Sequence, residues 1–284
     1  MSRSRTDQPL ISVLAISAVI AAAILLLILL FLLRESWPVL NKVGILRFFT
    51  DDGWYPLEAR FGLAPMLWAT LAVGIGAVLV ATPLGLAATL FTRFYAPRWL
   101  ALPFQRMVAL LAGIPSVVFG LWGLTVLVPF IAAFEPPGAS LLAGILILTI
   151  MILPTIALTA DAALAAVPEH YLRGSAALGF SRATTILGVL LPAAKAGITG
   201  GILLAAARAL GETMAVLMVA GNVVQTPTSL FDPIRTLTAN IALEMAYATG
   251  DHRASLFVSG LMLMGLVLVL AMSASRLGGG RLHG

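Results

Sequence analysis

The chain has no cysteine, so disulfides, thiol chemistry and cysteine metal sites are all excluded. Its three histidines, His170, His252 and His283, are scattered without metal-ligand spacing and read as solvated. Charged residues are scarce at 10%, against about 25% in ordinary soluble domains. No P-loop or other nucleotide-binding motif occurs, so any step that needs ATP must draw on another chain. No internal repeat of the kind found in stand-alone transporters is visible.

What remains is apolar: 60% of the 284 residues are hydrophobic. That combination describes an all-α, polytopic membrane protein. The net charge of +5 then reflects loops that gather Lys and Arg, and not nucleic-acid binding. Leu10 to Leu33 is free of charge for 24 residues, roughly 36 Å of helix, enough to cross a bilayer as a retained first span. Further spans are expected at 63–91, 108–132 with a kink at Gly113 and Pro115, 141–164, 196–220 and 254–273.

Between the spans lie a polar segment, 34–62, with Trp37, Trp54 and Tyr55, and a basic loop with Arg93, Arg98 and Arg106. A less apolar segment, 168–192, reads as two short helices around a turn at Gly179, outside the bilayer. A mixed loop, 225–253, includes a candidate interfacial or re-entrant helix at 237–248. The basic segments alternate with neutral or acidic ones. Six spans with both termini in the cytoplasm satisfy the positive-inside rule. The expected divisions are therefore 1–33, 34–62, a transmembrane domain 63–275 and a tail 276–284.

The fifth span carries the distinctive chemistry. Leu203 to Ala215 reads LLAAARALGETMA, with Arg208 and Glu212 inside an apolar run. An ionisable group at membrane depth costs at least about 2.5 kcal/mol, so it faces protein or water. On a continuous helix the two charges share one face with Gly197, Gly201, Ala205 and Ala215, while Leu203, Leu210, Met214 and Leu217 lie opposite. Two readings fit: an ion pair that fixes helix packing, or the charged lining of a transport path. Lys195 is expected to snorkel to the interface, and Asp161 to mark the end of the fourth span.

At 168–192 the chain resembles the EAA loop of ABC importer permeases. Gly179 stands where that loop has its glycine, and Val189 to Pro192 match its closing element. The loop's Glu-Ala-Ala triplet is replaced here by Arg173, Gly174 and Ser175. Residues 111–123, LAGIPSVVFGLWG, and 208–216, RALGETMAV, resemble the third- and fifth-span signatures of phosphate importer permeases. The Gly221-Asn222 pair, residues 53–56 and Phe61-Gly62 fit the PstC type.

The resemblance implies a type I ABC importer permease fold with a cytoplasmic coupling helix over Arg173, Gly174, Ser175, Ala176, Ala177, Leu178 and Gly179. It implies a bacterial inner-membrane translocation subunit with no catalytic residues, metal or cofactor. The expected partners are a PstA-type permease, two ATP-binding subunits, a periplasmic phosphate-binding protein and membrane lipid. Arg208, Glu212 and Thr213 become the path residues. Rival readings are a permease for another oxyanion, a PstA-type subunit, a stand-alone transporter or channel, and a membrane scaffold.

Overall fold

The computed structural model describes residues 8–51 and 53–278, with side chains described between 10 and 273. Arg3, Arg5, Asp52, Arg281 and His283 lie outside the described residues, as does the side chain of Arg276. The fold is helical; among the described residues five helices are long and apolar enough to cross a membrane, or six if the bent pair Arg98–Ala112 and Ser116–Ala132 counts as one span.

Helix α1 (Gln8–Val43) runs well past the last apolar residue of its first span. Charge at Arg34 and Glu35 marks a change of solvent, not the end of a helix. The helix ends instead at Gly44, whose φ of +83° is a conformation that a side chain would resist. A short helix α2 (Arg47–Thr50) and a two-residue hairpin follow. In the hairpin β1 (Trp54–Tyr55) pairs antiparallel with β2 (Arg60–Phe61), Trp54 opposite Phe61.

Helix α3 (Ala64–Leu90) continues through a π turn, Phe91–Tyr95. Helices α4 (Arg98–Ala112) and α5 (Ser116–Trp122) meet at a bend of 98°, and α5 runs on through a π turn into α6 (Val128–Ala132). The kink expected in the third span is a right-angle turn. Pro115 removes an amide donor and Gly113 ends α4, so the helical ladder stops on both sides of Ile114.

Helix α7 (Leu141–Ala165) is central. Ile147, Leu148, Met151, Ile152 and Ile156 are buried, and α3, α10, α11, α4 and α5 pack around it. Then come α8 (Glu169–Ala177), α9 (Arg182–Thr185), a π turn at Ile186–Leu190, α10 (Leu191–Leu210), α11 (Met214–Val219), α12 (Leu237–Glu244) and α13 (Gly250–Gly278). The second helix expected after Gly179 is not separate. It is the start of one 29-residue helix, Arg182–Leu210, about 43 Å long, that reaches from the Gly179 turn into the span.

The small residues of α10 sit against α7. A Cβ on Gly201 would overlap Thr159, and one on Gly197 would come within 2.7 Å of the Ala163 Cβ. Small residues permit this close backbone approach, the usual source of helix cohesion in lipid. On the opposite, bulkier face Leu210 is buried against Gly74 of α3.

Helix α1 lies antiparallel to α13, with the Phe31 ring edge-on to Phe257 and Lys42 paired with Asp251. From Leu10 to Ile28 α1 is exposed along its length. Between α11 and α12 the Asp232 carboxylate accepts the backbone N–H groups of Ser229 and Thr228 and the Thr228 hydroxyl, which holds its carboxyl below the usual carboxylate range.

Candidate functional site: a broken fifth span

The fifth span is broken. Helix α10 stops at Leu210, Gly211 to Thr213 are unwound, and α11 restarts at Met214. Arg208 and Glu212 therefore do not share the face of one continuous helix. Glycine weakens the helix at the break. A side chain competes there for the backbone as well: Glu212 Oε1 accepts from the Ala215 amide at 3.1 Å. The Glu212 amide donates to the Ala209 carbonyl (3.3 Å), and its own carbonyl accepts from the Thr238 hydroxyl (2.9 Å). Glu212 is thus pinned at its amide, carbonyl and carboxylate.

Each charge occupies a helix end of favourable sign. Arg208 is in the last turn of α10, and Glu212 stands just before the first turn of α11. The two are not ion-paired, and among the described residues Arg208 has no carboxylate partner. Its exposed guanidinium reaches one side chain, Thr155 of α7, with Nη1 3.5 Å from Oγ1. That separation is long for a hydrogen bond and leaves the donor fork largely free. Thr213 is half-buried, its hydroxyl 3.4 Å from the Gly211 carbonyl. The break thus leaves a largely free guanidinium against the Thr155 hydroxyl at the end of α10 and, in the unwound stretch that follows, a carboxylate committed on one oxygen and the Thr213 hydroxyl. Thr155 was not legible beforehand, because nothing in a run of apolar residues says which hydroxyl faces α10.

The 168–192 segment is built as a projecting turn. Helix α8 closes in a Schellman motif: the Phe180 amide donates to the Ser175 carbonyl and the Gly179 amide to the Ala176 carbonyl, both at 3.0 Å. Gly179 holds φ at +69°. Arg173 pairs with Glu169 one turn earlier, and both side chains stand in the open. Gly174, Ala176, Ala177, Leu178 and Phe180 are exposed, whereas Ser175 is buried with its hydroxyl on the Tyr171 carbonyl. Arg182 ties the segment to α3, donating to the Phe94 carbonyl (2.9 Å) with its guanidinium over the Tyr95 ring. Lys195 is exposed, and Asp161 is paired with Arg93 at 3.0 Å.

A second polar centre escaped sequence reading. Glu244, at the end of α12, is buried and accepts three donors: Arg235 Nη1 (2.6 Å), Trp54 Nε1 (2.7 Å) and His252 Nε2 (2.7 Å). His252 is therefore not solvated as expected but half-buried and stacked edge-on to Trp54. Arg235 also donates to the Asn222 carbonyl and to Asn240 Oδ1. This hub joins the hairpin, α12, α13 and the end of α11. The only available signal was an acid within an otherwise apolar stretch, at 237–248. His170 stays exposed, stacked on Tyr171. Among the described residues no three metal-ligating side chains converge.

Comparisons with known proteins place this arrangement. The family described as binding-protein-dependent transport system inner membrane component matches residues 81–278. The chain is 43% identical over 236 residues to the probable ABC transporter permease protein YqgH of Bacillus subtilis, covering 82% of this chain and 75% of that protein. It is 37% identical over 273 residues to the phosphate transport system permease protein PstC of Mesorhizobium japonicum, covering 89% of this chain and 82% of that one. It is 30% identical over 285 residues to PstC of Haemophilus influenzae, covering 93% and 90%. Among solved structures, the inward-facing MetNI methionine ABC transporter matches with a TM-score of 0.63 at 21% identity over 78% of this chain and 96% of that one, a likeness of fold. With this fold, these spans and these relatives, the chain belongs to the family of binding-protein-dependent transport system inner membrane components.

Proposed function

We propose that the chain is the permease subunit of an ATP-driven phosphate importer, forming the path with a PstA-type permease above two ATP-binding subunits and receiving phosphate from a periplasmic binding protein. The observation that carries this reading is the largely free Arg208 guanidinium at the break of the fifth span, against Thr155 and one turn before Glu212 and Thr213 in sequence. A guanidinium stays charged at any cellular pH, and its planar fork matches phosphate oxygens. The names of the PstC relatives supply the phosphate. The chain itself is a translocation component and not an enzyme; hydrolysis belongs to its partners. The experiment is ATP-dependent uptake of labelled phosphate by the reconstituted complex with sulfate as competitor. Uptake that resists excess sulfate is expected, and absence of uptake, or equal competition by sulfate, overturns the reading.

Coupling follows from the connectivity. The helix that begins beside the Gly179 turn ends at Leu210, with Arg208 in its last turn, so a push on α8 acts directly on the break. The exposed surface of α8 and its closing turn, with Arg173, Leu178 and Phe180, is the surface offered to an ATP-binding subunit. Arg173, in place of the family's acid, can leave its exposed partner Glu169 at little cost, since a surface pair contributes under about 1 kcal/mol.

Glu212 is assigned to selectivity. Phosphate near neutral pH still carries a proton that a carboxylate can accept as a hydrogen bond, and sulfate carries none. Glu212→Gln keeps an oxygen for the Ala215 amide, but removes the charge and turns the second oxygen into an NH2 that donates and cannot accept the phosphate proton. Sulfate is expected to compete measurably with phosphate in this variant. Unchanged discrimination together with an unchanged rate would exclude the assignment.

Orientation follows the loop charges. The 168–181 segment faces the cytoplasm, as do both termini, and the hub end faces outward. The absence of native cysteine makes the test clean. In sealed cells an impermeant thiol reagent is expected to label Leu57→Cys, at a fully exposed position, and not Arg173→Cys. Labelling of Arg173→Cys from outside inverts the topology.

A further inference from the structure

Helix α12 reaches both the hub and the break, and its first turn carries a chain of hydroxyls directed at Glu212. The Ala239 amide donates to Thr236 Oγ1 (3.2 Å), Thr236 and Thr238 hydroxyls lie 3.0 Å apart, and Thr238 Oγ1 donates to the Glu212 carbonyl (2.9 Å). Each hydroxyl has one proton, and the carbonyl can only accept. The protons therefore have one consistent order, from the Ala239 N–H through Thr236 and Thr238 to Glu212. Both threonines are buried, which shields the relay from water.

We propose that Thr238 is a positioning residue for the transport site, holding the Glu212 peptide in its unwound form and so tying the break to α12. In an unbroken helix the Glu212 carbonyl would accept from the amide four residues ahead; here a side chain from another element serves it. The strap is anchored at both ends. At its start the Leu237 amide donates to Thr70 Oγ1 of α3 (3.0 Å), and at its finish Glu244 is locked into the hub by Arg235, Trp54 and His252. Displacement of the hub therefore moves α12, and α12 moves the peptide whose carboxylate caps α11. The inference rests on the assignment of Glu212 to the path, and it adds the element through which the outer surface reaches that site.

The test uses the full importer complex carrying Thr238→Val, which keeps the shape and loses the proton, and Thr238→Ser, which keeps the hydroxyl. Two quantities are read beside complex yield: the maximal rate of phosphate uptake, and hydrogen exchange of the amides at 212–216. Thr238→Val is expected to assemble normally, lower the uptake rate about tenfold and speed that exchange about tenfold, the factor that about 1.4 kcal/mol gives. Thr238→Ser is expected to restore both. Thr238→Ala, smaller and equally without a proton, replaces the valine variant if that one fails to assemble. Wild-type exchange in the hydroxyl-free variant, or failure of serine to restore it, overturns the proposal. If the unmodified complex moves no phosphate, the transport reading falls, while the exchange measurements still decide the role of Thr238.

Discussion

Arg208→Ala is expected to abolish ATP-driven phosphate uptake while the complex still assembles. Charge-assisted hydrogen bonds contribute about 1.5–3 kcal/mol each, so losing a two-pronged contact lowers the rate at least about a hundredfold. Arg208→Lys keeps the charge but not the fork, and an intermediate loss, about tenfold, is expected. Assembly is spared because Arg208 is exposed and has no carboxylate partner among the described residues, so truncation strands no buried charge. The competing account, a packing pair with Glu212, makes the opposite forecast. Each single change would then reduce complex yield, and the double Arg208→Ala, Glu212→Ala variant would recover both yield and uptake. Measuring yield and uptake for both singles and the double as a cycle separates the two. Full uptake by the double variant would remove the pair from the path.

Gly179→Val is expected to uncouple ATP hydrolysis from transport in a permease that still folds. The left-handed backbone at Gly179 closes α8 through two hydrogen bonds, and a β-branched residue there costs about 1–3 kcal/mol. No atom lies within 4 Å of where the new Cβ would stand, so the cost is conformational and local. Relieving it re-aims α8 relative to the helix that starts at Arg182, which separates the partner's push from the break. The ratio of phosphate moved to ATP hydrolysed is expected to fall about tenfold, the factor set by about 1.4 kcal/mol, with complex yield unchanged. Gly179→Asn, a residue that tolerates the left-handed region, is expected to recover most of the coupling. Normal coupling in the valine variant would remove this turn from the mechanism.

Much of the molecule is determined by its sequence alone. Backbone groups in lipid must be satisfied internally, so long apolar runs become helices whatever their neighbours. That is why the spans at Leu10, Leu141 and Ala254 were legible, and why the scarcity of charge singled out Arg208 and Glu212. The Gly179 turn was legible as well, because few residues accept its backbone.

Only the tertiary structure decided where helices bend, break or continue. Gly113 with Pro115, and Gly211 with Glu212, could each have been absorbed as a kink; the fold holds a right angle at the first and, with the Thr238 and Ala215 hydrogen bonds, a break at the second. Arg34 and Glu35 stayed helical because charge at a membrane surface is solvated without disturbing the backbone. The Glu244 hub depends on residues as distant as Trp54 and His252, a juxtaposition that no local pattern encodes. Periodicity fixes which residues share a face only while the helix runs on. At the fifth span it does not, and contacts from α7 and α12 set where the two charges stand.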